Sequence, residues 1–179
     1  MKQSFKEQIW KRNPQQSYFS DLFFGLCGFL ISYPVVLIAG SFFDWLIQTV
    51  FKFVSYEQVA VKYLKNTQGN LLQTIIALFT IVIFAPFIEE LLFRGFLQTF
   101  LRRHLKVQPA CLISGFMFAF FHYSTSQSYG NISVILTLFI LGWYLGVIYE
   151  RQGSLLSVIF FHALFNVTSA WRVLLDSSG

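Results

Sequence analysis

The feature that most constrains this chain is a succession of apolar stretches separated by short polar connections. The first covers residues 22–43, bounded by Asp21 and Asp44. At 1.5 Å per residue, a helix of about 22 residues reaches about 33 Å, enough to cross a hydrocarbon core of about 30 Å. Further apolar runs fall at residues 71–87, 109–123, 132–149 and 155–175. Only 12% of the chain is charged, where a soluble domain of this length carries about a quarter, and 23 residues are Phe. Lipid is therefore the solvent for most of the surface. The expected fold class is all-α, a polytopic membrane helical bundle forming a single domain. Residues 1–70 read as an N-terminal anchor span with a polar connection, and residues 71–179 as a core.

Residues 71–103 as one straight helix would extend about 50 Å, too long to span unbent. A kink or break is expected near Pro86, with helix resuming through Glu89 and Arg94. The prediction is thus about five spans, plus an additional helix carrying Glu89-Glu90-x-x-x-Arg94. The net charge of +5 and pI near 9.3 reflect topology rather than nucleic-acid binding, because Lys and Arg collect on the cytoplasmic side. Lys2, Lys6, Lys11, Arg12, Arg102, Arg103, Lys106 and Arg151 fall on one side, and Lys52, Lys62, Lys65 and Arg172 on the other. Eight against four places the N-terminus in the cytoplasm, with the first run a retained anchor rather than a cleaved signal. The location expected is an integral protein of a bacterial inner membrane. Cys27 and Cys111 lie in apolar segments and read as small packing residues, with no disulfide framework indicated.

Of eight carboxylates, six flank spans or lie in connections. Glu89 and Glu90 instead sit between Phe87-Ile88 and Leu91-Leu92-Phe93. Ionisable groups among membrane helices are costly and face a cavity or a partner. Glu90 and Arg94 are i and i+4 and can pair on one helix face. Glu89 is rotated about 100° from Glu90, which leaves it free to act as a general base. Alone, the pair could equally mark a helix start at the membrane surface. His122, ending the run Phe118-Ala119-Phe120-Phe121, could be an interfacial histidine. His162 and Asn166 are harder to dismiss: they are i and i+4 on one face of an apolar run, so they share an interior partner or act as interhelical glue. His104 lies in the basic connection and reads as solvated.

One free carboxylate, two histidines and an amide suffice to hydrolyse an amide bond. Glu89 and His122 could hold and deprotonate a water, and His162 and Asn166 could donate to the developing oxyanion. Glu89, His122 and His162 could instead hold a divalent metal such as zinc, although no H-E-x-x-H sequence is present. No serine or cysteine stands in a triad-like arrangement.

Glu89-Glu90-x-x-x-Arg94, Phe118-x-x-x-His122 and His162-x-x-x-Asn166 resemble the three motifs of the CAAX protease and bacteriocin-processing (CPBP, or Abi) family of intramembrane proteases. All three occur in family order between Ala85 and Asn166. The resemblance implies a CPBP-type catalytic core in residues 71–179, with the polar residues meeting in a cavity open toward the cytosol. It implies an endopeptidase in which Glu89 and His122 activate water, His162 and Asn166 stabilise the oxyanion, and Glu90 and Arg94 support them. The family is labelled metalloprotease, and a metal-free glutamate-and-water mechanism is also argued for it, so the cofactor stays open. The implied partners are a protein or peptide substrate and membrane lipid, with no nucleic acid. The rival reading is a non-proteolytic immunity or scaffold protein of the same fold. A proton or solute carrier is disfavoured by five spans without repeated halves.

Overall fold

The computed structural model describes residue 10 and residues 16–52 and 58–176. Lys2, Lys6, Lys11, Arg12 and Glu57 lie outside the described residues. Within them the chain is a bundle of six helices: α1 Tyr18–Phe51, α2 Val59–Thr67, α3 Leu71–Leu101, α4 Val107–Phe121, α5 Gly130–Gln152 and α6 Leu155–Asp176. Four of them, α1, α3, α5 and α6, are long and apolar enough to cross a membrane, while α4 is apolar but only 15 residues long. Large apolar side chains face outward along these helices, Ile38 and Leu71 being 71% and 78% exposed, as a lipid-embedded surface requires.

The first helix is longer than residues 22–43. It starts where the Ser17 hydroxyl accepts from the Ser20 N–H at 3.1 Å, and it runs on to Phe51. Asp21 and Asp44, expected at its ends, lie inside it and tie it to α5. The buried Asp21 accepts from Gln152 Nε2 at 3.0 Å, and Asp44 accepts from the Ser133 hydroxyl. One end of α1 therefore stands at the C-terminal end of α5, and the other at its N-terminal end. Part of the supposed polar connection is helical, because α2 buries Leu64 and Thr67 and leaves Lys62 and Lys65 outside. Lysines on one face and apolar residues on the other make a short amphipathic helix, which apolar content alone does not reveal.

Pro86 does not break α3, and the Glu89-Glu90-x-x-x-Arg94 segment is the continuation of the same helix rather than an additional one. Two π-helical stretches interrupt the α geometry, Thr80–Phe84 just before the proline and Leu91–Gln98 just after the glutamates. Wider turns give a proline ring room without ending the helix.

Packing centres on α5, which lies against α1 and α4, while α6 lies against α1 and the middle of α3. Glycines set the closest approach. A Cβ on Gly142 would come within 2.9 Å of Gly115 Cα, so α4 and α5 meet backbone to backbone. Small residues at such crossings replace the hydrophobic drive that lipid removes.

Candidate active site

Three helices deliver the polar residues to one place. Glu89, Glu90 and Arg94 come from α3, His122 from the residue capping α4, and His162 and Asn166 from α6. Glu90 and Arg94 are fully buried and joined by a 3.0 Å ion pair, Arg94 Nη1 to Glu90 Oε1. The same Glu90 oxygen lies 2.8 Å from His162 Nδ1. Arg94 Nη2 donates to the Gly142 carbonyl at 2.9 Å, and its guanidinium stacks over the Phe118 ring at 4.6 Å. Glu90 and Arg94 thus form the ion pair that their i, i+4 spacing allows.

Both histidines present the same nitrogen to Glu89. His122 Nδ1 lies 2.8 Å from the Phe118 carbonyl, which can only accept, so Nδ1 carries the proton and Nε2 is left for the site. His162 Nδ1 is likewise engaged by the Glu90 carboxylate. Each Nε2 then stands 3.8 Å from one oxygen, Glu89 Oε2. That is too long for a direct hydrogen bond and within the reach of one bridging water. Glu89 and His122 remain partly exposed, with side chains 19% and 30% accessible, whereas His162 is 4%. Asn166 lies on the same face of α6 as His162, but its amide nitrogen donates to the Ile81 carbonyl at 2.8 Å.

Sequence reasoning missed the lock that holds α3 in register. Gln98 Nε2 donates to the Gly146 carbonyl and to Glu150 Oε1, both at 3.0 Å, and Arg102 Nε donates to Glu150 Oε2 at 3.3 Å. Arg94 and Gln98, four apart, therefore grip the carbonyls of Gly142 and Gly146, also four apart. On an α-helix, positions 90, 94, 98 and 102 would drift by about 40° per step. The wider π turns between them reduce that drift. The available signal was a glutamine and two glycines at matching spacing on two apolar spans.

Glu89, His122, His162 and Asn166 line one cavity of about 800 Å³, counting its open mouth. Gln58, Val61 and Leu64 around α2 and Ala170 and Val173 near the end of α6 line its other end. The Asp21–Gln152 and Arg102–Glu150 contacts put the basic α3–α4 connection at the opposite end of the bundle, with the start of α1. The α2-lined end of the cavity and the start of α1 therefore lie toward opposite ends of the bundle.

Among the described residues, no group of three His, Cys, Asp or Glu side chains is arranged to hold a metal ion. Glu90 is committed to Arg94 and His162. Each Nε2 is 3.8 Å from Glu89 Oε2, wider than the roughly 3.3 Å between neighbouring ligands on a tetrahedral zinc with bonds of about 2.0–2.1 Å. The donor set as it stands does not fit a metal.

Fold and site define a polytopic helical membrane protein with a glutamate–imidazole cluster lining an intramembrane cavity. The family model described as type II CAAX prenyl endopeptidase Rce1-like matches residues 71–168, more than half of the chain and all six residues of the cluster, and the chain belongs to that family. Membership implies a CAAX-type protease, a hydrolase of the membrane. No curated protein and no solved structure matches the chain.

The buried pair gives a direct stability test. Arg94→Met leaves the Glu90 carboxylate buried without its cation and is expected to lower unfolding stability in detergent by about 3–5 kcal/mol. The double variant Arg94→Met with Glu90→Gln should recover part of that loss. A double variant that loses the sum of the two single effects contradicts the pairing.

Proposed function

We propose that the protein is an intramembrane endopeptidase that hydrolyses peptide bonds with a water activated by Glu89 and His122. The observation that carries the reading is the placement of both imidazole Nε2 atoms at 3.8 Å from a single Glu89 oxygen, in a cavity of a family of CAAX endopeptidases. A water in that space gives a proton to Glu89 as its oxygen bonds to the scissile carbonyl carbon. The carbonyl oxygen becomes an oxyanion, which takes hydrogen bonds from Asn166 and from His162 in its doubly protonated form, with Glu90 accepting at Nδ1. The carbon–nitrogen bond then breaks, and Glu89 returns the proton to the leaving amine. Arg94, Gln98 and the α5 carbonyls hold the frame in which this geometry persists.

The substrate is a protein or peptide segment entering the cavity beside α2, from within or beside the lipid. The charge count favours the start of α1 and the α3–α4 connection on the cytoplasmic side. Glu89 then receives substrate from the opposite face of the membrane.

Glu89→Gln keeps size and hydrogen bonding but removes the base. In a reconstituted assay with a quenched peptide library, cleavage should fall by at least about 10²-fold while thermal unfolding is unchanged. Cleavage retained at the native rate sinks the reading. For the orientation, a cysteine at Gln58 should react with an impermeant maleimide on intact cells. Reaction only after the cells are opened would put the cavity mouth in the cytosol and the N-terminus outside.

A further inference from the structure

The site contains a backbone carbonyl that α3 cannot satisfy. The Ala85 N–H donates to the Thr80 carbonyl, a π spacing of five, and so passes over Ile81, which an α spacing of four would have given it. At the same spacing the next residue would serve Ile81. That residue is Pro86, which has no N–H. In a membrane span such a carbonyl must find a partner from a neighbouring helix. Asn166 provides it, with Nδ2 at 2.8 Å from the Ile81 oxygen. Because a carbonyl only accepts, the NH2 of Asn166 must face Ile81, and this fixes which way the amide is turned. One amide proton is engaged there. The other belongs to a side chain on the wall of the cavity that Glu89, His122 and His162 share.

We propose that Pro86 and the π turn before it are a positioning device: they leave the Ile81 carbonyl unpaired so that it orients the Asn166 amide in the active site. Pro86 acts through Asn166 and touches no reacting atom. The inference rests on the endopeptidase reading for its catalytic consequence, but the pairing itself is independent of it. The device also explains why α6 docks at two separate points of α3. His162 is held by Glu90, and Asn166 is held nine residues earlier in α3, at Ile81.

Restoring an N–H at position 86 gives Ile81 a partner by either route. The new N–H reaches it if the π spacing continues, and the Ala85 N–H reaches it if the helix relaxes to α. A double-variant cycle on the full chain in detergent reads this without activity, using Pro86→Ala, Asn166→Leu and the combination. Asn166→Leu keeps the volume and removes the donor. It should lower the unfolding midpoint clearly when Pro86 is present, and by less than half as much in the Pro86→Ala background. Additive shifts overturn the link between the proline and the asparagine.

The catalytic arm uses the quenched peptide library. Pro86→Ala should lower kcat by about tenfold or more with KM unchanged, since a small misplacement of a donor is enough for such a loss. It should lower kcat no further in the Asn166→Leu background. A Pro86→Ala protein that cleaves at the native kcat overturns the positioning role, even if the unfolding cycle shows coupling. Native protein that cleaves nothing fails the endopeptidase reading instead, and the unfolding cycle still decides the pairing.

Discussion

Glu90 Oε1 accepts from Arg94 Nη1 on its own helix and lies against His162 Nδ1 on α6, while the other terminal nitrogen of Arg94 reaches the Gly142 carbonyl of α5. Three helices thus meet through one buried carboxylate. A charge in that position is tolerated only because its partner is beside it, and removing either member leaves the other exposed to a low dielectric. The arrangement also explains the division of labour between adjacent glutamates. Glu90 is consumed by structure, and the turn of the helix delivers Glu89 to the cavity, where two imidazoles face it.

The rest of the bundle is organised around keeping this junction in register. Gly142 and Gly146 lack side chains where Arg94 and Gln98 need to reach backbone, and Gly115 lets α4 close over the same segment, so that Phe118 and His122 arrive beside the pair. In lipid, apolar burial gives helices little reason to prefer one neighbour over another. Backbone carbonyls gripped by long polar side chains supply the missing specificity. The polar contacts at either end of α1, Asp21 with Gln152 and Asp44 with Ser133, serve the same purpose.

The bundle and the identities of the clustered residues were legible in the sequence because polar side chains in apolar spans are rare and need a reason. The i, i+4 spacings of Glu90 with Arg94 and of His162 with Asn166 survive folding, since helical periodicity depends on local geometry alone. Partners across helices were not legible. Nothing local shows that Asn166 would meet Ile81, because that carbonyl is freed by a π turn, and π turns leave no simple residue pattern. Length argued for a kink or break near Pro86; the helix does not break there, and widens into π turns that no residue pattern announces. The amphipathic α2 escaped notice because its nine residues are too short and too polar for a search by apolar run. Which end of the bundle carries the cavity was not legible either, because it is a property of the packed helices, not of any one of them.

In the proposed mechanism a water, and not a protein nucleophile, attacks the peptide bond beside Glu89. This is tested most directly by cleaving a defined peptide with the purified protein in ¹⁸O-water and following both product and enzyme by mass spectrometry during the first turnover. Attack by water puts one ¹⁸O in the new C-terminal carboxylate and leaves the mass of the enzyme unchanged throughout. A transient acyl adduct on the enzyme, or ¹⁸O appearing in the Glu89 side chain while the first product stays unlabelled, would contradict it.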